Sequence, residues 1–449
     1  MILNAFEMNC SGHQSPGLWT HPDDQSVDYK KASYWRELAV LLEKGKFDAV
    51  FIADVLGIYD VYEGSRDAAI RNGVQVPLND PSYIVPIMSE ATDHLSFGIT
   101  ASVTYEHPYS FARRMSTLDH LTDGRIAWNV VTSYLKSASV NLGLQQIPHD
   151  ERYDLADEYM DVCYKLWEKS WEEDAVIQDK TRRIFTEPEK VHDIHHKGKY
   201  FSIPGAHLAE PSPQRTPVIF QAGASTRGRK FAVDHAELVF ISSTSIHKIK
   251  ETVQLFKEDL KHTNREADNF KIISMVTPIV AETTAEAEEK FEEYTKYASK
   301  EGALSLVSGW TGIDMAQLKA DEKISYIEND AIRSTLKAFE HYTVKETASF
   351  VGVGGFGPVI VGNPTEIADA LEAWMDETGI DGFNIAYTVT PGSFKDFIDF
   401  VVPILQARGR VQTAYKEGTF RKKLTGSNYL PHSHQAKRVQ ISKAEGMFG

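Results

Sequence analysis

Eight short runs rich in β-branched and aromatic residues, at positions 2–6, 47–53, 95–103, 126–132, 217–221, 238–241, 272–280 and 382–387, alternate with stretches of helical spacing. No other feature constrains the fold of this chain as strongly. Strands that are apolar on both faces must be covered on both faces, which happens when helices cross over between parallel strands. Eight such units close into an α/β (β/α)8 TIM barrel. Helix signals agree: Trp35, Leu38, Ala39 and Leu42 recur at helical spacing, and Thr283-Thr284-Ala285-Glu286 has the form of a capping box. Asn363-Pro364-Thr365-Glu366 places an asparagine cap before a proline at the first helical position. The connections 133–216 and 281–381 are too long for simple crossovers, so insertions carrying binding function are expected after strands 4 and 7. The expected organisation is one domain over 1–425 and a tail over 426–449. From about Pro431 the polar tail is expected to pack loosely or against a partner subunit.

Composition excludes several functions. The chain has 449 residues, 42% hydrophobic and 25% charged, with no apolar run long enough for a bilayer. Its start, from Met1 to Met8, lacks a basic region followed by an apolar stretch and reads as a first strand, not a signal peptide. Two cysteines, Cys10 and Cys163, cannot staple a chain this long, so a reducing, cytoplasmic setting is expected. A net charge of -15 with dispersed basic residues argues against nucleic-acid and membrane partners. The ligand should be small.

Two runs carry the chemistry. In residues 113–133, Met115, Leu118 and Leu121 mark a helix, Asp123-Gly124 breaks it, and a β-rich run ends in Asn129, Thr132 and Ser133. Polar groups at the carboxyl end of a parallel strand lie where a barrel binds its ligand, and Asp54, Thr100 and Ser102 take similar positions on strands 2 and 3. The alternative for Asp54 is a structural carboxylate capping a loop. The second run, 217–229, passes from a strand through Gly223, Ala224, Ser225 and Thr226 into a helix. Small residues allow close approach, and a helix start favours an anion, so a phosphate site is one reading. An ordinary turn capped by Ser225 is the other. No P-loop is present, so such a phosphate belongs to a cofactor. Residues 351–358 match G-x-G-x-x-G by letter, but Pro358 and a β-rich run follow where a helix must start, so a mobile lid or lid-flanking hairpin is expected there. His192, His195 and His196 cluster on what reads as an exposed hairpin with no further ligands, and no metal is expected.

These motifs occur together and in order: Asn4 to Cys10, Gly45 to Asp54, Arg113 to Ser133, His149-Asp150-Glu151-Arg152-Tyr153-Asp154, and Gln221 to Arg229. In that order they resemble the bacterial luciferase-like flavin monooxygenases. The branch they resemble contains the nitrilotriacetate, dibenzothiophene sulfone, dimethyl sulfide and long-chain alkane monooxygenases, with the nearest likeness to the last two. The likeness extends to about Thr425. It implies an oxygenase component that takes FMNH2 from a separate NAD(P)H:flavin reductase, reacts it with O2 to a flavin C(4a)-hydroperoxide, and inserts one oxygen into an organic substrate. It also implies flavin contacts at Asp54, Thr100, Ser102, Asn129, Gly223, Ala224 and Ser225, and a phosphate contact at Tyr153. Read alone, Tyr153 is a packing residue.

By the same likeness Cys10, His13, Tyr59 and Gln75 line the substrate space. Cys10 is read as wall and not nucleophile, because this chemistry needs no protein nucleophile. Tyr134 and Leu306 stand where the alkane enzyme's pattern has histidines, so the pocket differs there. Phe6, Leu56, Ile58 and Val131 are further expected walls. They contain no cluster of cations, which favours a small or elongated apolar substrate, an alkane or organosulfur compound, over a polycarboxylate. Residues 352–357 or a loop at 303–311 are expected to supply a closing lid. A homodimer or homotetramer is expected. The alternatives are a deazaflavin-dependent oxidoreductase on the same barrel and a non-catalytic flavin-binding relative.

Overall fold

The computed structural model describes residues 1–223, 225–324 and 342–441. Eight parallel strands form the barrel: β1 (Ile2–Met8), β2 (Ala49–Ala53), β3 (Ser96–Ser102), β4 (Ile126–Val131), β5 (Val218–Gln221), β6 (Leu238–Ile241), β7 (Lys271–Val280) and β8 (Gly382–Ile385). Each pairs with the next, and β1 closes the ring on β8 with Ile2 opposite Gly382 and Ala5 opposite Ile385. All eight coincide with the expected runs. The second half of β7 leaves the ring, and Thr277 to Val280 pair in parallel with an additional strand, Val359–Gly362.

Inside the barrel the core is aromatic. Phe51 stacks on Phe240 with centroids 4.5 Å apart, and Phe220 meets Phe240 edge-on at 5.1 Å. Gly98 on β3 makes room for this, since a Cβ there would lie 2.5 Å from the Phe220 ring. Outside, Trp128 packs on Phe111 of the helix Pro108–Leu121 at 4.4 Å. The strand period of two then turns its neighbour Asn129 inward. The expected caps form: Thr283 with Glu286, and Asn363 with Glu366, each exchange both capping-box hydrogen bonds. The helix Pro108–Leu121 stops before Asp123 and Gly124, whose φ values are 50° and 78°. Leu121, the last residue of that helix, is 59% exposed.

Below the barrel, the short helix Phe420–Thr425 plugs the amino-terminal ends of β5 and β6. Phe420 reaches the Phe220 ring at 5.9 Å, while the buried Arg421 guanidinium pairs with Glu237 at 2.7 and 2.9 Å. Arg421 also donates to the carbonyls of Gln214, Thr216 and Pro217.

Three expectations change. Residues 303–311 form no loop; they belong to the helix Lys300–Thr311. The glycine-rich run is tied to the barrel: Gly354 N–H donates to Ser15 Oγ (3.0 Å), Phe356 N–H to Gln14 Oε1 (3.4 Å), and Ser242 Oγ to the Phe356 carbonyl (2.9 Å). These bonds fasten the run to the barrel, where Phe356 forms part of the cavity wall. The segment after Pro431 does not pack loosely as far as Ile441. His434 is fully buried with its ring bonded to the His235 carbonyl (3.0 Å), and Lys437 pairs with Glu168 (2.5 Å). Among the described residues, no helix is long and apolar enough to cross a membrane.

Candidate active site

A cavity of about 970 Å3 opens at the carboxyl ends of the strands, at the upper end of the range for small-molecule sites. Its chemistry differs from end to end. On the β2 to β4 side it is lined by Asp54, Thr100, Ser102 and Asn129. Asn129 Nδ2 donates to Thr100 Oγ1 at 3.0 Å, and its Oδ1 is left buried without a protein partner. A buried acceptor in that condition is costly unless a ligand satisfies it. Ser102 Oγ accepts from Ser133 Oγ (2.7 Å) and from the Thr104 N–H (3.2 Å). Burial, helped by the charge of Asp80, pushes the Asp54 carboxyl up to about 7.

At the β5 end, Ser225 caps the helix Thr226–His235, its hydroxyl accepting the Gly228 N–H at 3.0 Å. The Tyr153 hydroxyl, from the helix His149–Tyr164, reaches the same place as the Ser225 hydroxyl. Here the backbone comes close. A Cβ on Gly223 would lie 3.0 Å from the Tyr153 oxygen, and one on Gly228 would lie 2.8 Å from it and 3.0 Å from Ser225 Oγ. Two hydroxyls at a helix start, beside the glycines at 223 and 228, suit an anion. Ser225 is thus a helix cap and a cavity residue at once. Ala224 lies outside the described residues.

An apolar wall makes up part of the remaining lining. Phe6, Phe51, Phe240 and Met275 face it from the strands, Leu56, Ile58 and Val131 from strand ends and loops, and Trp310 and Phe356 from the second insertion. Trp310 and Phe356 meet edge-on at 5.8 Å.

Of the expected substrate-pocket residues, Gln75 and Tyr134 line the cavity. A hydrogen-bonded row connects them: Tyr134 to Tyr59 between hydroxyls (2.9 Å), Tyr59 to Gln75 Oε1 (3.0 Å), and Gln75 Nε2 to the His13 carbonyl (2.9 Å). Cys10, His13, Tyr59 and Leu306 are buried behind the lining and not part of it. Cys10 pairs through its backbone with Leu78, and Leu78 faces the cavity instead. Burial pushes the Cys10 thiol up to about 12, so no thiolate forms there. The His13 ring rests edge-on against Phe6 (4.4 Å), and burial lowers it to about 3, leaving it neutral. Leu306 sits inside a separate apolar cluster with Tyr59 and Leu135.

Sequence reasoning passed over several lining residues: Asp80, Glu106 and Arg114 on one rim, His149 and Arg152 at the Tyr153 end, and Gln221 and Asn384 on β5 and β8. Arg152 was the most accessible of these, as the neighbour of Tyr153. Its guanidinium is buried, donates to the Ser133 carbonyl and keeps Nε unpaired. The lining does hold cations, Arg114 and Arg152, which the expected apolar walls lacked, and Arg114 is paired with Glu106 (2.5 Å). In the histidine-rich turn, His192 pairs with Glu172 (2.9 Å) and His196 with Glu158 (3.3 Å). No group of three or more potential metal ligands occurs among the described residues.

The sequence profile of the Luciferase-like monooxygenase family matches residues 6–382. The chain is 52% identical to the dimethyl-sulfide monooxygenase of Hyphomicrobium sulfonivorans, covering 95% of this chain and 91% of that one. It is 51% identical to the long-chain alkane monooxygenase of Geobacillus thermodenitrificans, over 98% and 97%. It is 33% identical to nitrilotriacetate monooxygenase component A of Aminobacter aminovorans, over 91% and 93%. Among solved structures, that of the Hyphomicrobium sulfonivorans protein superposes with a TM-score of 0.93 at 51% identity, covering 98% and 95%. A long-chain alkane monooxygenase superposes with 0.92 at 50%, over 98% and 99%. A riboflavin lyase solved with modified FMN and riboflavin superposes with 0.93 at 35%, over 98% and 100%. Profile, sequence relatives and structural neighbours agree with the barrel and its cavity: the chain belongs to the luciferase-like monooxygenase family.

Proposed function

We propose that this protein is the oxygenase component of a two-component FMN-dependent monooxygenase. It would receive FMNH2 from a separate NAD(P)H:flavin reductase, as the name "component A" suggests for the nitrilotriacetate relative. The observation that carries the reading is the pairing within one cavity of an anion-suited turn at Tyr153 and Ser225 with a buried, unpartnered Asn129 Oδ1. The residues present fit FMN. Tyr153, Ser225 and the Gly223 turn would hold the phosphate, and Asn129, Thr100, Ser102 and Asp54 the polar edge of the ring. When bound in reduced form, FMN supplies the two electrons with which O2 is split and one oxygen atom transferred. The chain's own residues bind, orient and exclude water. Phe6, Val131, Trp310 and Phe356 keep the reacting space apolar. Tyr134 presents the one hydroxyl that Tyr59 holds in place at the wall. Such walls favour an alkane or an organosulfur compound, the substrates named for the two relatives above 50% identity.

Ser225→Ala and Tyr153→Phe each weaken FMN binding by about 1–2 kcal/mol, the range for a lost hydrogen bond to a charged group. Riboflavin, which lacks the phosphate, binds both variants like the parent. Equal losses for riboflavin in a fluorescence titration would place the phosphate elsewhere.

Asp54 supplies a pH signature. Its carboxyl is raised to about 7 by burial and by Asp80, so the stability contributed by the protonated form is full below its ordinary value of 3.8 and lost as pH rises through about 7. Asp54→Asn therefore melts above the parent at about pH 8 and alongside it at about pH 4. If the ionised carboxylate accepts a ring N–H, FMN affinity of the parent rises through about pH 7 and that of the variant stays flat. A parallel pH profile in the two proteins would remove Asp54 from the cofactor site.

A further inference from the structure

Arg227 lies just behind the anion-suited turn and does not line the cavity. Its guanidinium carbon sits 5.2 Å from the centre of the Tyr153 ring, so a cation covers one face of the tyrosine whose hydroxyl reaches Ser225. The arginine is itself braced. Nη2 bonds Asp157 Oδ2 at 2.5 Å and lies 3.5 Å from Asp154 Oδ1. The other Asp157 oxygen is 3.5 Å from His235 Nε2, and His235 Nδ1 bonds the Tyr164 hydroxyl at 3.1 Å. His235 is pinned in turn by the buried His434, which bonds its carbonyl at 3.0 Å. Burial works against the Asp157 carboxylate, yet His235 and Arg227 hold it below the ordinary range, so the carboxylate facing Arg227 is ionised at neutral pH. A tilted Phe231 (5.6 Å) and the edge-on ring of His149 (5.3 Å) also pack against the tyrosine ring.

We propose that Arg227, braced by Asp157 and His235, is a positioning residue that fixes the plane of Tyr153 and so holds its hydroxyl over the Gly223–Gly228 turn. The proposal rests on the reading of that turn as the FMN-phosphate site. A tyrosine oxygen has no freedom beyond the two torsions of its ring, so fixing the ring fixes the oxygen, and a braced cation over the ring face does this at low entropic cost. The partly exposed ion pairs alone would do little for stability. Their consequence is geometric, transmitted through the ring.

The test is titration of FMN and riboflavin onto the full chain with Arg227→Met, Arg227→Lys, Asp157→Asn, Tyr153→Phe and the double variant Arg227→Met/Tyr153→Phe. Arg227→Met should weaken FMN about three- to tenfold and leave riboflavin unchanged. Arg227→Lys keeps the charge without the planar guanidinium and should fall between Arg227→Met and the parent. Asp157→Asn should shift FMN in the same direction by less. The double variant should bind FMN no more weakly than Tyr153→Phe alone, because the arginine acts through that hydroxyl. Losses that add in the double variant would overturn the proposal while leaving the phosphate site in place. Equal losses for riboflavin would reduce Arg227 to a packing role. A parent that binds riboflavin as well as FMN would remove the phosphate reading itself. Should Arg227→Met fail to fold, Arg227→Lys and Asp157→Asn give the same comparison.

Discussion

Arg421→Met lowers the stability of the folded chain by about 3–5 kcal/mol, the range for removing one partner of a buried ion pair. The guanidinium is fully buried and makes two bonds to Glu237 as well as bonds to the carbonyls of Gln214, Thr216 and Pro217. Methionine fills most of the volume but leaves the Glu237 carboxylate and three carbonyls without this donor at the base of β5 and β6. The companion change clarifies the cause. In Arg421→Met/Glu237→Leu both charges are gone, and most of the loss should return, because the penalty lies in the uncompensated charge and not in the missing attraction. Urea unfolding of the three proteins, followed by far-ultraviolet circular dichroism, reads the difference. If the single variant unfolds at the parent's midpoint, the barrel base is not held by this pair.

Gly228→Ala should separate binding from stability. Alanine is favoured over glycine within a helix by about 1 kcal/mol, and position 228 lies in the first turn of the helix Thr226–His235. The new methyl would lie 2.8 Å from the Tyr153 oxygen and 3.0 Å from Ser225 Oγ, so it must displace both hydroxyls assigned to the phosphate. Losing both hydrogen bonds costs about 2–4 kcal/mol of FMN affinity. The melting temperature of the cofactor-free protein falls modestly, because the methyl also meets the Gly223 backbone at 3.2 Å and moving Ser225 weakens the helix cap, costs that helix propensity offsets only in part. Isothermal titration against FMN and a thermal melt suffice. An FMN affinity like the parent's would mean that these hydroxyls do not hold the cofactor.

The barrel was legible because each strand writes its burial in β-branched and aromatic residues, and Asn129 was legible because strands alternate and Trp128 must face the helices. Past the strand ends that periodicity stops, so nothing in the local pattern shows that Cys10 and His13 lie behind the cavity lining and not on it. The helix Lys300–Thr311 reads as a loop because of its glycines and serines. Those small residues are there for packing: a Cβ on Gly309 would lie 1.9 Å from the Tyr59 ring, and one on Gly302 would lie 2.8 Å from Pro16 Cβ. The carboxyl-terminal segment reads as loose because its anchors are polar. His434 and Lys437 dock through a carbonyl and a carboxylate, which hydrophobic patterning cannot register. The glycine-rich run 352–357 suggests a lid by composition alone. Its backbone is satisfied by Gln14, Ser15 and Ser242, side chains far away in sequence.

The central claim is that this cavity joins dioxygen to an apolar substrate at the expense of reduced FMN. The most direct measurement supplies the purified protein with a flavin reductase, NADH, FMN and isotopically labelled dioxygen, and offers a panel of dialkyl sulfides, sulfones and alkanes of rising length. The expected result is an oxidised sulfide or alkane carrying one labelled oxygen atom per product, formed only when both FMN and the chain are present and with little free peroxide. Product without label would contradict the account. So would hydride transfer to or from a deazaflavin with no O2-dependent product from any member of the panel.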